Sequence, residues 1–566
     1  MTAPVVEHWV DHARAMATPR RLAVVIITAA VVAAAAAGWD NSATNDEPYH
    51  TLAAFTYVHD GRGDLNVEHP PLAKLVAGVA LLPLGLSGSS SAPVQRLLVL
   101  SQEVRRFIYG NTIPAPVILR AARLPMLTFL AFLLAGAYAW ARWAFGERTA
   151  VLAVLALACQ PLVLGHAFVV HTDVPAAAAW TWALYLLHRW LAGWARGWLP
   201  FGLVLGLALI IKFTCVYLLP VATLAAAVVA VRTRRPAVLL ALAGGGAVAL
   251  AVVWAGVGVA IRGSSLAEER ATIDLVLGLW PGTEELARRL QALAGASRPL
   301  AHYALGLAYV WETNLHGQGI NFFVGSTSAR GFLWYFPVAL VLKSSLPFLV
   351  MAVLGTVAAI RRKARTDLLM LAAAAYYLLI SLGASYNIGA RHLMPILPLL
   401  AIVGAHQAEG WQRRVRVLLV LAFLTSAGVS FPHYIAHFNL AAGGARAGHR
   451  YLNDSNLDWG QDWTRLGREA ERRGWRPLAY VYLGAGNPAS DLPGAADALA
   501  LPGPPGTGYV AVSSYAAAVG VQYLEALRHP REAAKLAEIL ALVRQRGEPV
   551  GDVGHTITAY RIRPPI

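Results

Sequence analysis

Long apolar runs separated by short basic links dominate the chain, the pattern of a protein that crosses a membrane many times. A crossing helix needs about 17–25 mostly apolar residues, and eleven stretches meet or approach that length. They are Leu22–Gly38, Leu119–Ala141, Ala150–Gly165, Val174–Leu191, Leu199–Ile211, Thr214–Val231, Ala237–Ile261, Phe336–Ile360, Leu368–Ala384, Met394–Ala408 and Val417–Phe431. The fifth and tenth are short. Two long loops interrupt the series, at residues 39–117 and 262–335. From residue 432 the apolar runs shorten, and Pro and Gly become denser. Strands are predicted there at Leu478–Leu483, Tyr509–Val512 and Thr556–Ile562, with helices at Arg465–Arg473 and Pro530–Arg546. The expected fold class is mainly α: a polytopic membrane protein with about 11 transmembrane helices plus a small external C-terminal α/β domain. Residues 1–21 form a lead, 22–431 the membrane module and 432–566 the outer domain.

Composition agrees. Of 566 residues 57% are hydrophobic and 14% charged, against about a quarter charged in a soluble protein, and mean hydropathy is +0.51. A net charge of +16 would fit a nucleic-acid partner if it were clustered, but the basic residues sit in small groups between apolar runs, so no nucleic acid is expected. Arg20/Arg21, Arg142/Arg148, Arg189/Arg196, Arg232/Arg234/Arg235, Arg361/Arg362/Lys363/Arg365 and Arg413/Arg414/Arg416 all fall at one face, which the positive-inside rule makes cytoplasmic. An odd number of crossings then places the C-terminus outside. Leu22–Gly38 also resembles a signal-peptide core, but removing it would invert the charge pattern, so it is expected to stay as an anchor. The lead sets Val5, Val6, Trp9 and Val10 against Arg14 and Arg20, as a helix lying on the membrane surface does. Cys159 and Cys215 both fall in predicted crossings, so no disulfide framework is expected.

The chemistry-bearing residues converge on the external side. Asp46, Glu47, Glu68, His69, Lys74, His171, Asp173, Lys212, Arg391 and His392 all lie at or near the outer ends of apolar runs, where charge is costly unless it is used. Pro48 suits the first turn of a helix that runs to Asp60-Gly61, and Asn45, Asp46 or Glu47 would cap it. Adjacent carboxylates diverge by about 100° on a helix, so only one of Asp46 and Glu47 can serve as a general base, the other role being the cap. Pro70-Pro71 opens a second, interfacial helix to about Leu82 that Glu68, His69 and Lys74 would anchor. Metal binding by Glu68 with His69 or His171 stays open, since the spacing matches no ligand signature. No cofactor is required. Lys212 could snorkel to lipid headgroups, and Arg391 with His392 favours phosphate. The Asp454–Asp462 run lacks the glycine and terminal glutamate of a calcium loop at the required places.

Asp46-Glu47, His69-Pro70-Pro71-Leu72-Ala73-Lys74, His171-Thr172-Asp173-Val174-Pro175, Lys212, Phe332–Pro337 with Lys343, and Arg391-His392 occur in an order that resembles the GT-C glycosyltransferases. The nearest groups are the protein O-mannosyltransferases and the bacterial lipid A aminoarabinose transferases. The resemblance covers about Leu22–Phe431. It implies a multi-pass enzyme of the bacterial plasma membrane with its site outside, which transfers a sugar from a polyprenyl-phosphate donor to an acceptor hydroxyl by inverting displacement. The acceptor is a protein, lipid or glycan. Asp46 and Glu47 map to the catalytic acidic pair, with Asp46 the base. Lys74, Lys212 and Arg391 would take the donor phosphate, and Glu68, His69, His171, Asp173 and His392 the substrates. The alternative, a transporter or flippase of lipid-linked sugars, calls for paired broken helices in two related halves, and no such repeat is present.

Overall fold

The structure is a computed structural model that describes residues 19–88, 97–317 and 319–564. The lead expected at the N-terminus lies outside them up to residue 18. The amphipathic pattern of Val94–Tyr109 in the first long loop predicts a helix, and one is described over Leu97–Tyr109; residues 94–96 lie outside the described residues. Among the described residues, five helices are long and apolar enough to cross a membrane: Pro19–Gly38, Ala115–Phe145, Phe213–Thr233, Ala237–Ala260 and Arg365–Leu382. They turn large apolar side chains outward. Val24, Val25, Val32, Leu240, Leu250, Trp254, Leu369 and Leu379 are each more than half exposed, a belt that only lipid can cover at reasonable cost. The chain is therefore a multi-pass, mainly helical membrane protein.

The expected eleven crossings correspond to helices, but they are not eleven uniform rods. Ala150–Gly165 is split into Glu147–Ala158 and Pro161–Ala167, bent by 66°. Phe336–Ile360 is split into Tyr335–Lys343 and Leu346–Arg361, bent by 118°. Counting each bent pair as one crossing gives seven by length and composition. Pro161 and Pro347 lie in the first turn of each second half, where the missing N–H costs nothing and a new helix starts. The two breaks meet. Gln160 Nε2 donates to Ser345 Oγ (3.2 Å), and Gln160 Oε1 accepts from the Ser345 amide (3.3 Å), which satisfies groups that the breaks set free. Asp173–Leu191 and Leu397–Ala408 are almost wholly buried by other helices, so their composition answers to protein neighbours and not to lipid.

The first long loop folds as expected. Glu47–His59 forms the helix begun at Pro48, and Gly61 (φ 68°) ends the excursion. It packs on Leu72–Val79 so closely that a Cβ on Gly78 would lie 2.1 Å from the Ala54 carbonyl oxygen. The 262–335 loop carries three helices, Leu266–Leu277, Glu284–Ala296 and Arg298–His316, of which the sequence pattern predicts only the middle one. A short antiparallel hairpin follows, β1 (Asn321–Phe323) and β2 (Ser326–Ser328).

The C-terminal domain, expected from the sequence to be the outer domain, is a five-stranded mixed sheet. Its strands are β3 (Leu478–Val481), β4 (Ala496–Asp497), β5 (Gly508–Ser513), β6 (Gly547–Val553) and β7 (Ile557–Ile562), in the order β4-β3-β5-β7-β6. Pairs β3/β4 and β3/β5 are parallel, and the rest antiparallel. Successive β3 residues enter different cores. Ala479 and Val481 pack with the helices Ser514–Ala526 and Pro530–Arg546, while Leu478 and Tyr480 pack with Trp463–Arg473. Both faces are covered, which explains why the strand reads as continuously apolar. Before this sheet, residues 451–462 run back into the membrane module as turns and short 3-10 segments.

Candidate active site

The residues singled out from sequence divide into one tight cluster and two supporting pairs. At the cluster's centre Arg391, buried in the link before Leu397–Ala408, donates from Nη2 to Asp46 Oδ2 (3.0 Å), and its Nη1 lies 3.4 Å from Asp173 Oδ2. Nη1 also meets His171 Nε2 at 2.7 Å. A guanidinium can only donate, so Nε2 is the accepting nitrogen, and the ring proton belongs on Nδ1, which lies 2.7 Å from Asp173. Asp173, the first residue of its helix, also receives Lys212 Nζ at 2.5 Å from the break after Trp198–Leu209. The pairs span up to 345 positions in the sequence.

Asp46 occupies the N-cap position of its helix, but its carboxylate makes no cap bond. The capping role expected for it is overturned: the side chain turns to Arg391 and His171 instead. It is surrounded by protein yet 32% exposed. Burial alone would raise its pKa. The Arg391 guanidinium overcomes this and holds the carboxyl well below the usual carboxylate range.

Glu47, the other expected catalytic carboxylate, faces elsewhere. It is fully buried and takes Arg123 through Nε (2.7 Å) and Nη2 (2.6 Å), and it accepts the amides of Thr44 (2.9 Å) and Val170 (3.1 Å). Every lone-pair direction is spent on holding the loop, so Glu47 is a structural anchor. Arg123 was readable as a cation inside a predicted apolar run, a signal that points to a partner.

Lys74 also departs from expectation. Its buried ammonium donates to Tyr57 Oη (3.1 Å), the Asn66 carbonyl (2.8 Å), Asn66 Oδ1 (2.8 Å) and the His69 carbonyl (2.6 Å). Three N–H groups already face four acceptors, so it shapes the loop that carries Glu68 and His69 and has no proton left for a phosphate. Glu68 keeps 41% of its side chain exposed, and burial, then Asp46, raises its pKa. His392 packs its ring toward Phe336 (6.2 Å), and its Nε2 has no hydrogen-bond partner.

His50 is an addition. It lies four residues after Asp46 on the same helix face, with its ring 5.0 Å from His69 and 4.9 Å from His171. One ring nitrogen from each of the three falls within 4.8 Å of the others, close enough to share a metal ion. Burial, then the neighbouring histidines and Lys74, hold His50 and His69 well below the ordinary histidine pKa, in the neutral form that ligates.

Trp459, from the outer domain, covers one face of Arg391, with its ring 4.3 Å from the guanidinium carbon. Nothing local in the sequence marks it.

The family model described as dolichyl-phosphate-mannose-protein mannosyltransferase matches residues 117–256. The match agrees with the resemblance drawn from the motifs, and the matched segment contains Arg123, His171, Asp173 and Lys212. No curated protein matches the chain significantly. Among solved structures the chain is similar to ArnT from Cupriavidus metallidurans bound to undecaprenyl phosphate (14% identity, 95% of this chain and 97% of that one, TM-score 0.49). It is also similar to the apo oligosaccharyltransferase of Archaeoglobus fulgidus (13% identity, 83% and 63%, TM-score 0.39).

Proposed function

We propose that the protein is a membrane glycosyltransferase that moves a sugar from a polyprenyl phosphate to an acceptor hydroxyl at its external face. The observation that carries this reading is the Asp46–Arg391 pair beside Lys212 and Asp173. One carboxylate is partly exposed, and the cation that pairs with it is of the type that grips phosphate. The family match supports the donor class.

The acceptor oxygen attacks the anomeric carbon and forms the new C–O bond, while the bond from that carbon to the phosphate oxygen breaks. The acceptor's proton goes to Asp46, and the electron pair leaves with the lipid phosphate. Asp46 loses a negative charge as the phosphate gains one. Arg391, no longer opposed by an ionised Asp46, then turns its full charge to the leaving group, with Lys212 behind it. Fixed charges aimed at a developing anion are the usual large term in such catalysis, and positioning supplies most of the rest.

The topology that goes with this reading has all eleven predicted crossings in a bacterial plasma membrane, with the N-terminus cytoplasmic and residues 432–566 external. The test is transfer of a labelled sugar from a polyprenyl-phosphate donor by purified, reconstituted protein. Transfer that disappears in Arg391→Ala, measured at a temperature where the variant is still folded, is the expected outcome; donor movement across the bilayer without transfer would replace the reading with transport.

A further inference from the structure

The outer domain touches both halves of the Asp46–Arg391 pair through one short segment. On the Asp46 side, the Trp459 carbonyl accepts the Asn45 amide (2.7 Å) and the Gln461 carbonyl accepts the Ser42 amide (3.0 Å), so residues 459–461 run alongside residues 42–45. Gln461 stiffens this run, its Oε1 taking the Trp459 amide (2.9 Å) and its Nε2 giving to the Leu457 carbonyl (2.8 Å).

On the Arg391 side, Asn456 Oδ1 accepts the Ala390 amide (2.9 Å), while its Nδ2 donates to Tyr335 Oη (2.8 Å) and to the Asn453 carbonyl (3.0 Å). Ser455 Oγ donates to the Ile388 carbonyl (2.6 Å). The Asn456 carbonyl also accepts from Lys343 Nζ at the break between Tyr335–Lys343 and Leu346–Arg361. Trp459 then lies over the guanidinium itself and is wedged edge-on against His171 (5.5 Å).

We propose that residues Ser455–Gln461 are a brace that sets the spacing between Asp46 and Arg391, with Asn456 and Trp459 as positioning residues for binding of the anionic prenyl phosphate. The inference rests on the phosphate role given to Arg391 above. Asp46 and Arg391 belong to separate loops that are anchored separately, by Glu47 with Arg123 on one side and by Asp173 with His171 on the other, and the brace is bonded to both. A guanidinium with one face on an indole and one edge on carboxylates has lost most of its rotational freedom before the ligand arrives, which reduces the entropy cost of gripping phosphate. The outer domain is in this sense part of the site. Removing it wholesale would take Trp459 and Asn456 along with the sheet, so deletion cannot leave the donor step intact.

Gly389 gives the direct test. Its backbone is extended (φ 179°), which alanine tolerates, but a Cβ there would sit 2.2 Å from Ser455 Oγ. Gly389→Ala should therefore push brace and Arg391 loop apart. Binding of undecaprenyl phosphate to the detergent-solubilised full chain is expected to weaken at least about tenfold in Gly389→Ala and to recover to within about threefold in Gly389→Ala/Ser455→Ala. Trp459→Leu should weaken binding similarly, and Trp459→Phe, which keeps an aromatic face, should restore most of it. In transfer assays the donor KM should rise while the acceptor KM stays put, which a general loss of folding would not produce. If Gly389→Ala lowers the melting temperature, the Trp459 pair carries the same comparison at a temperature where both are folded. Arg391→Ala is measured alongside. If it abolishes binding while Gly389→Ala and Trp459→Leu bind normally, the brace is overturned and the phosphate site stands. If Arg391→Ala binds normally, both fall together.

Discussion

Arg391 Nη2 and Asp46 Oδ2 stand 3.0 Å apart although 345 positions separate them in the sequence. The pair joins the start of the first external helix to the link before the Leu397–Ala408 helix. It sets how basic Asp46 is, and hence the pH dependence of the proposed reaction. A base must be deprotonated to act, so kcat/KM falls as pH drops through its pKa. With Arg391 in place that pKa is held well below the usual carboxylate range, and the acid limb should lie below about pH 4. In Arg391→Gln burial is no longer offset, and the limb should move up. A pH–rate profile of the residual activity that keeps its acid limb unmoved would show that Arg391 does not tune Asp46.

Glu47 and Asp46 should separate cleanly by stability. Glu47→Gln strips the carboxylate from a buried Arg123 and should destabilise by about 3–5 kcal/mol, which thermal melting of the purified protein reads directly. Asp46→Asn removes no cap bond and should melt close to the unaltered protein. Equal melting temperatures for the two variants would remove the structural role given to Glu47.

Lys74→Met should also act on stability. It leaves the Asn66 and His69 carbonyls short of a donor, at about 1–3 kcal/mol for each buried group left unsatisfied, while the folded protein's affinity for a polyprenyl phosphate should change less than about twofold. A loss of affinity as large as that of Arg391→Ala, with melting unchanged, would return Lys74 to the phosphate site.

Much of this was legible in the sequence, and what was missed has a common cause. The helix from Pro48 to Asp60, the helix Pro530–Arg546 and the three strand positions follow from local signals: a proline in a first turn, a glycine stop, and periodicity. The membership of Asp46, His171, Asp173, Lys212 and Arg391 in one place followed from their shared position at the outer ends of apolar runs. The fate of Glu47 depends on Arg123, 76 positions away, and that of Lys74 on carbonyls whose direction only the folded loop defines. The 118° bend at Ser344–Ser345 follows Lys343, a single cation in an apolar run that is otherwise long enough to read as one straight crossing. Trp459 reaches Arg391 from a separate domain, and no pattern along one segment encodes such a meeting.

The brace segment should loosen as pH rises. Burial, and then Asp46, push Asp454 up to about 7, and burial pushes Asp458 up to about 6, against about 3.9 in the unfolded chain. The folded state holds these protons more tightly, so their stabilisation is complete below pH 4 and is lost as pH rises toward 7. Melting temperature should therefore fall over this window more steeply in the unaltered protein than in Asp454→Asn. Identical slopes would mean that Asp454 is not protonated in the fold.

Topology is tested by labelling. Cys159 and Cys215 are buried and will not compete. Ser455 is also buried, so the informative outer position is Arg472, exposed on the Trp463–Arg473 helix, against Arg234 on the opposite face. Arg472→Cys should react with an impermeant reagent in intact cells, and Arg234→Cys only after lysis; the reverse pattern would invert the orientation.

The central claim is that Asp46 takes the acceptor proton while Arg391 is shared between Asp46 and the donor phosphate. Asp46→Asn tests both parts in one protein when sugar transfer and undecaprenyl phosphate binding are measured together. Transfer should fall by roughly a hundred- to ten-thousandfold, the range for loss of a general base. Binding should stay equal or tighten, because the guanidinium no longer answers to an ionised carboxylate. Normal transfer by Asp46→Asn, or binding lost along with transfer in a protein that still melts normally, would contradict the account.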